Sequence, residues 1–391
     1  MKSLYRDQDE YWMQLALSIA KNGIGLTSPN PPVGAVIVKN NKLISSGWHK
    51  GAGLPHAEVN AILKHPRKHI RGATLYVTLE PCCTWGKTPP CTDLIINEKI
   101  RRVVIGCEDP NPIHSGKGIN ILRRARIDVR VNVCHEAAKK IIIPFQKKVL
   151  TGMPFVTLKM GLSLDGRIAD NKGYSRWITC YQSRRLVKRI RQGVDAIIIG
   201  GNTAQMDNPS LLSLHPQKQP LRIVLLSQTH PLTSSLRLFN DKWAHKTILV
   251  TNTYLPFSIT NKLTKKGTQI WCLNNNDNNT TGVSLMPLLH RLGERGCLHV
   301  LVEGGGTVAG SFVAEGLIDR YLFFIAPIFL GASGKNAING YNWLIKKTPK
   351  LHFDKVYNIH SDILVIASPF RRNAHIVYDS DILLNKLCLP A

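Results

Sequence analysis

No stretch of the chain approaches the ~20 consecutive apolar residues of a membrane-crossing helix, so a spanning protein is not expected. The start, Met1-Lys2-Ser3-Leu4-Tyr5-Arg6-Asp7, carries no apolar signal-peptide core, and a soluble cytoplasmic protein is the expectation. The nine cysteines are odd in number and lack the dense, regular spacing of a disulfide scaffold; in a reducing compartment they read as metal ligands and buried thiols. Acidic residues are scarce, 25 Asp and Glu against 51 Lys and Arg, for a formal net charge of +26. That balance suits a phosphorylated substrate, an acidic cofactor or nucleic acid, or it reflects a generally basic proteome. The charge is spread along the chain and not gathered into an arm or tail, so basicity alone does not establish nucleic-acid binding. With 391 residues and 43% apolar content, two to three packed domains are expected.

One stretch carries chemistry: His56-Ala57-Glu58, then Pro81-Cys82, then Cys91 closing Gly86-Lys87-Thr88-Pro89-Pro90-Cys91. One imidazole and two sulfurs can occupy three corners of a tetrahedral zinc site and leave the fourth open, as a catalytic zinc requires. Glu58 is then not needed as a ligand. A carboxylate there can take a proton from water at the zinc and hand it to a leaving amine, the chemistry of hydrolytic deamination. His-x-Glu joined to Pro-Cys and a second cysteine is the zinc deaminase signature, usually with two residues between the cysteines; here there are eight, Cys83 to Pro90. The bland alternative is a structural zinc or a group of buried thiols.

The first half alternates helices and strands. Met13, Leu17 and Ala20 recur at helical spacing within Glu10 to Lys21, and Gly23 and Gly25 stop that helix. Val33 to Val38 and Leu43 to Trp48 read as a hairpin, followed by a helix whose first turn holds His56 and Glu58. A strand from Ala73 to Leu79 leads to Pro81-Cys82, and Cys91 begins the next helix. Ligands at two helix N-termini place positive dipole ends near the zinc, which favours thiolate. Asn30 and His49, polar residues at strand ends, are candidate substrate contacts, with turn-making or surface roles as the alternative. Lys87, in the loop between the cysteines, is a candidate for a phosphate or a ring oxygen, or else a solvated lysine. Asp109 and Asn111 are turn residues that could also bind the ring or ribose. Further elements near 119–126 and 128–133 complete a mixed or parallel sheet sandwiched by helices. Cys83, Cys107 and Cys134 have no ligand partner in this pattern.

A basic helix, Ala137 to Val149, ends at Thr151-Gly152-Met153-Pro154, where the apolar pattern restarts, so a domain boundary is expected near residue 150. After a strand from Phe155, Arg184, Lys188 and Arg191 share one helix face, a cationic stripe suited to phosphate or a solvated surface. Val194 to Gly201 reads as a buried strand, with 202–211 a polar loop at its carboxyl end holding Thr203 and Asp207. Strands are expected within 221–226, 247–250 and 269–273. His299 to Glu303, followed by Gly304-Gly305-Gly306-Thr307-Val308-Ala309-Gly310-Ser311, is a second constellation. Glycines between a strand and a helix let the backbone approach a phosphate, although this is not a Gly-x-Gly-x-x-Gly fingerprint, and a tight turn is the alternative.

The wide cysteine spacing around Gly-Lys-Thr-Pro-Pro-Cys resembles the bifunctional riboflavin-biosynthesis deaminase/reductase family, RibD or RibG. The order Lys159-x-Gly161, Ser-x-Trp-Ile-Thr, Asp-Asn-Pro-Ser-Leu and Val-Glu-Gly-Gly-Gly is similar to that family's reductase half. The resemblance covers about residues 5 to 368. It implies an α/β chain: an N-terminal cytidine-deaminase-like three-layer α/β/α domain over 1–150, then a dihydrofolate-reductase-like α/β domain over 151–370. Residues 371–391 form a tail of unassigned role. It implies Zn2+ on His56, Cys82 and Cys91 with Glu58 catalytic. It implies NADPH contacts at Gly161, Trp177, Thr203, Asp207 and Gly305 to Ser311, and substrate contacts at Ser175, Arg191, Leu211 and Glu303. The family usually has an Arg three residues after the leucine of Asp-Asn-Pro-Ser-Leu, where this chain has Leu214, which leaves Arg191 or His215 to carry that charge.

The expected protein deaminates a phosphorylated pyrimidine and then reduces its ribose to a ribityl chain with hydride from NADPH. A homo-oligomer, dimer or tetramer, is the expected assembly. Three rivals remain: a deaminase with an inactive reductase domain, a nucleic-acid base deaminase, and an RNA-binding protein built on both folds. The eight-residue spacing and the reductase-like second half argue against the two nucleic-acid readings.

Overall fold

The computed structural model describes residues 2–86, 89–216, 218–226, 233–273 and 282–370, with side chains from residue 8 onward. The expectation for Lys87 and the tail 371–391 fall outside these residues. The chain divides into two compact units between Met153 and Pro154.

In the first unit the order is α1 (Lys2–Ala20), β1 (Gly34–Lys39), β2 (Lys42–Trp48), α2 (Ala57–Ile62), α3 (Arg67–Ile70), β3 (Thr74–Leu79), α4 (Cys91–Asn97), β4 (Arg102–Cys107), α5 (Lys117–Arg124), β5 (Asp128–Arg130) and α6 (His135–Thr151). The strands form a five-stranded mixed sheet in the order β2-β1-β3-β4-β5, with the β1/β2 and β1/β3 pairs antiparallel and the rest parallel. Alternate strand residues point to opposite faces. Ala35, Ile37, Leu75, Val77, Val103 and Ile105 therefore join α2, α4 and α5 in one core. The intervening Tyr76 points the other way and its hydroxyl donates to Asp9 of α1 at 2.9 Å. Asp9, 1% exposed, also accepts two bonds from Arg102 at 2.8 Å and pairs with Arg130, so α1 is pinned to the sheet by a buried carboxylate. A Cβ at Gly47 would come within 2.5 Å of the Ala57 carbonyl oxygen, so glycine there is what lets the start of α2 lie on β2.

In the second unit the order is β6 (Phe155–Ser163), β7 (Arg167–Ala169), α7 (Tyr181–Ile190), β8 (Ala196–Gly200), α8 (Gly201–Asp207), β9 (Leu221–Leu226), α9 (Arg237–Asn240), β10 (Thr247–Thr251), α10 (Phe257–Thr264), β11 (Gln269–Cys272), α11 (Leu285–Glu294), β12 (His299–Val302), α12 (Gly306–Ala314), β13 (Arg320–Ala326), β14 (Lys335–Asn336), β15 (Leu351–Ile359) and β16 (Asp362–Pro369). Nine strands pair as β11-β10-β9-β8-β12-β6-β13-β16-β15. The run from β11 to β13 is parallel, and the β15–β16 hairpin closes one edge antiparallel. Its parallel strands are apolar on both faces, as sheets covered by helices require. No helix among the described residues is long and apolar enough to cross a membrane.

Four local expectations are corrected. The opening helix begins at Lys2, well before Glu10. The strand expected over 128–133 stops at Arg130. The segment expected as a polar loop over 202–211 opens as α8, because Ala204 is fully buried and Gln205 and Met206 favour helix; left-handed Asn208 and then Pro209 end it. The cationic face of α7 is broken up: Lys188 is exposed, whereas Arg191 leaves the α-helix for a 3-10 turn and points inward.

Candidate active site

Strand β3 ends at Leu79, and the chain turns through Glu80 and Pro81 to bring Cys82 against the first turns of α2 and α4. His56 is the N-cap residue of α2 and Cys91 the first residue of α4. The His56 Nδ1 lies 3.4 Å from the Cys82 Sγ and 3.3 Å from the Cys91 Sγ, and all three donor atoms lie within 4.8 Å of one another. Bonds of 2.0 to 2.3 Å at tetrahedral angles place N and S ligands roughly 3.5 Å apart, so these atoms fit one zinc ion. The Cys91 backbone N–H donates to the Cys82 Sγ at 3.3 Å. A hydrogen bond from the Cys91 thiol, opposed by burial and reinforced by the His56 ring, holds the Cys82 thiol far below its ordinary pKa; the same sharing pushes Cys91 up. The soft thiolate this makes is the ligand form zinc takes.

Glu58 lies in the first turn of α2 and is 4% exposed. Burial pushes its carboxyl up to about 7, Cys82 adding and His56 opposing. A carboxyl poised there exchanges protons near neutral pH.

Asn30 and His49, offered separately by the sequence, meet here. The Pro55 carbonyl can only accept, so the His49 Nδ1, 3.1 Å away, carries the proton; the Nε2 is then an acceptor for the Asn30 amide at 3.1 Å. His49 also stacks edge-on to His56 with ring centroids 5.2 Å apart. Asp109 and Asn111 lie in the loop after β4, each accepting a backbone N–H two residues on, Asn111 at 2.8 Å and Ile113 at 3.1 Å. Burial raises the Asp109 carboxyl. Beside this loop a cavity of about 300 Å³ opens toward α6, lined among others by Asp109, Ser115, His135 and Lys139. Sequence reasoning missed Glu80, a carboxylate 5% exposed that accepts three backbone N–H groups of the segment 109–119.

In the second unit the predicted residues gather at the carboxyl ends of β6, β8 and β12. Glu303, its side chain 7% exposed, receives Arg191 through both oxygens at 2.7 and 3.0 Å, and Lys159 at 3.5 Å. Burial alone would raise this carboxyl, but the two cations hold it at about 2. Arg191 is thus ion-paired and not a free cation. Ser175 donates to Asp207 at 2.9 Å, and Arg176 reaches the Asp207 carbonyl. Trp177 is 66% exposed, with the Arg184 guanidinium 4.4 Å and that of Arg176 5.5 Å from its ring centre. A Cβ on Gly305 would lie 3.1 Å from the Thr203 hydroxyl, and one on Gly161 3.2 Å from Thr179. Thr307 is exposed, and Val308 and Ser311 are half-buried.

Two groups of the predicted residues are buried within the unit. Leu211 is a core residue, 2% exposed, packed with the apolar cluster around Ile199 and Val224. Gly306, Ala309 and Gly310 are buried, and a Cβ at 306 or 310 would meet the Asn336 or Asn339 carbonyl at 2.3 or 2.1 Å. The chain's own segment 336–341 covers that face of α12. Leu214, at the position where an arginine was expected, is 44% exposed.

Comparison with known proteins matches residues 154–365 to the model of the RibD C-terminal domain. Residues 6–107 match the cytidine and deoxycytidylate deaminase zinc-binding region. The riboflavin biosynthesis protein RibD of Aquifex aeolicus is 40% identical over 368 residues, 93% of this chain and 99% of that one. The chain belongs to the RibD family. Its structure is similar to that of RibD from Acinetobacter baumannii, with a TM-score of 0.83 at 34% identity over 94% of this chain and all of that one. A diaminohydroxyphosphoribosylaminopyrimidine deaminase/5-amino-6-(5-phosphoribosylamino)uracil reductase from Thermotoga maritima gives 0.83 at 35% identity, with the same coverage.

The protein is accordingly a bifunctional deaminase and reductase of riboflavin biosynthesis, with a zinc-binding cytidine-deaminase-like unit and a dihydrofolate-reductase-like unit that uses NADPH.

Proposed function

We propose that His56, Cys82 and Cys91 hold the zinc and that Glu58 carries the proton of the deamination. When bound, the ion supplies Lewis acidity toward water and substrate. Glu58 takes the proton of the attacking water and delivers it to the amine, which leaves as ammonia; one buried carboxyl raised to about 7 serves both transfers. With its amide N–H held by His49, Asn30 presents its carbonyl oxygen toward the pyrimidine. Asp109 and Asn111 form the wall where the ring or ribose rests. The substrate is the phosphoribosylaminopyrimidine named for the Thermotoga protein. The observation that carries this reading is the set of three donor atoms within 4.8 Å beside a buried carboxyl.

In the reductase unit NADPH supplies hydride, and the opened sugar accepts it together with a proton. Trp177, held against Arg184, and the Thr203–Gly305 contact line the cofactor side, with Gly161, Asp207, Thr307, Val308 and Ser311 around them. Ser175 and the Lys159–Glu303–Arg191 group face the substrate. Two cations against one carboxylate leave that group one positive charge, which suits a phosphorylated ligand even with Leu214 nearby. The protein works in the cytoplasm as a homo-oligomer.

The test is Cys91→Ser, assayed for bound zinc, ammonia release and NADPH oxidation. Loss of zinc and ammonia, with NADPH oxidation retained on supplied 5-amino-6-(5-phosphoribosylamino)uracil, is the expected result. Undiminished ammonia release would remove Cys91 from the ligand set.

A further inference from the structure

We propose that Glu80 is the positioning residue of the deaminase site, holding the substrate-side segment 109–119 against the strand end that carries Cys82. The proposal rests on the reading of Asp109 and Asn111 as the substrate wall. Glu80 extends the β3–β4 pairing by one residue, its N–H donating to the Cys107 carbonyl at 2.9 Å. Its side chain then reaches across to the following loop. The Oε2 accepts from the Asp109 N–H at 3.2 Å and the Gly116 N–H at 2.9 Å, and the Oε1 accepts from the Ile119 N–H at 3.2 Å.

All three donors are backbone groups, two of them at the N-terminal end of α5, and no ion pair involving Glu80 is formed among the described residues. A carboxylate is the side chain that matches this set, since both oxygens accept and neither end donates. Independently, α5 is pressed onto the same strand end: a Cβ at Gly118 would lie 2.3 Å from the Pro81 carbonyl oxygen and 3.2 Å from the Glu80 Oε1. The loop makes its own turns through Asp109 and Asn111, but those turns fix only its internal shape. Its placement relative to Cys82, two residues past Glu80, comes from Glu80 and the Gly118 contact together with the packing of Ile119 and Leu122 in the core.

The experiment uses the full-length zinc-loaded enzyme, with the reductase of the same chain as internal control. Glu80→Ala frees three N–H groups and the loop with them. The deaminase KM should then rise roughly tenfold or more, with kcat changed far less, because a buried charge-assisted anchor is lost while His56, Glu58, Cys82 and Cys91 are untouched. Zinc content and NADPH oxidation should remain as in the parent. Glu80→Gln should fall between the two, since its amide oxygen still serves Asp109 and Gly116 while its N–H faces that of Ile119. If Glu80→Ala does not fold, Gly118→Ala, which pushes on the same contact with Glu80 intact, should raise KM in the same way.

An unchanged KM in a folded, zinc-loaded Glu80→Ala enzyme overturns the proposal, as does zinc loss with KM unaltered, which would make Glu80 structural only. Asp109→Ala and Asn111→Ala separate the two layers of the argument. If they leave KM unchanged, the reading of the wall fails; if they raise it while Glu80→Ala does not, only the proposal for Glu80 fails.

Discussion

Arg191 and Glu303 lie 112 residues apart in sequence and meet as a two-toothed pair, Nε to Oε1 at 2.7 Å and Nη2 to Oε2 at 3.0 Å. The pair joins the end of α7 to the end of β12, and Lys159 of β6 adds a second cation. A lysine cannot reproduce the fork, because its ammonium meets one oxygen at a time. Arg191→Lys should therefore depress NADPH oxidation while ammonia release persists, and an equal loss of both activities would contradict this placement. Glu303→Gln leaves two partly buried cations without their carboxylate and should lower the melting temperature of the second unit.

Acid stability follows from the same carboxyl. Its folded pKa, about 2, lies below the ordinary 4.5. A depressed carboxyl contributes stability that is complete above its unfolded pKa and is lost as pH falls through the folded one. Melting of the second unit should thus weaken from about pH 4.5 toward 2, and Glu303→Gln should flatten that limb. Asp9 acts with the same sign in the first unit: burial raises it, but bonds from Arg102, Tyr76 and Arg130 bring it below its ordinary value. Calorimetry between pH 2 and 6 checks both; a limb of identical slope in Glu303→Gln would count against the assignment.

Glu58→Gln keeps the shape of the deaminase site and removes its proton carrier. Bound zinc should remain at the parent level while ammonia release falls by roughly 100-fold or more, the usual weight of a general acid and base. Normal turnover in that variant would take the proton from some other group.

Gly310→Ala places a methyl where the Asn339 carbonyl oxygen lies 2.1 Å away. Overpacking of this kind costs about 1–3 kcal/mol, so the second unit should melt earlier and lose NADPH oxidation, with ammonia release preserved. An undisturbed melting curve would mean that segment 336–341 does not lie on α12.

The meeting of His56, Cys82 and Cys91 was legible in the sequence because each sits at the start of a helix or just past a strand end, where motif and local structure coincide. The alternation of strands and helices likewise revealed the layered architecture. Glu80 stayed hidden because its partners are backbone N–H groups 29 to 39 residues downstream, which leave no side-chain pattern. Arg191 looked like the end of a cationic stripe, since spacing alone does not say that α7 stops at Ile190 and the chain turns inward. Nothing in the glycine run announces the segment near 336–341 that covers Gly306 and Gly310. Leu211 lay inside a recognisable motif, yet its side chain completes the core.

The most direct measurement follows ammonia release and NADPH consumption together, with purified zinc-loaded protein and diaminohydroxyphosphoribosylaminopyrimidine as the sole starting compound. The account predicts ammonia first and NADPH oxidation matching it mole for mole, with Leu214 tolerated. Ammonia without NADPH loss would contradict the reductase assignment, and the absence of both signals would contradict the proposed sites as a whole.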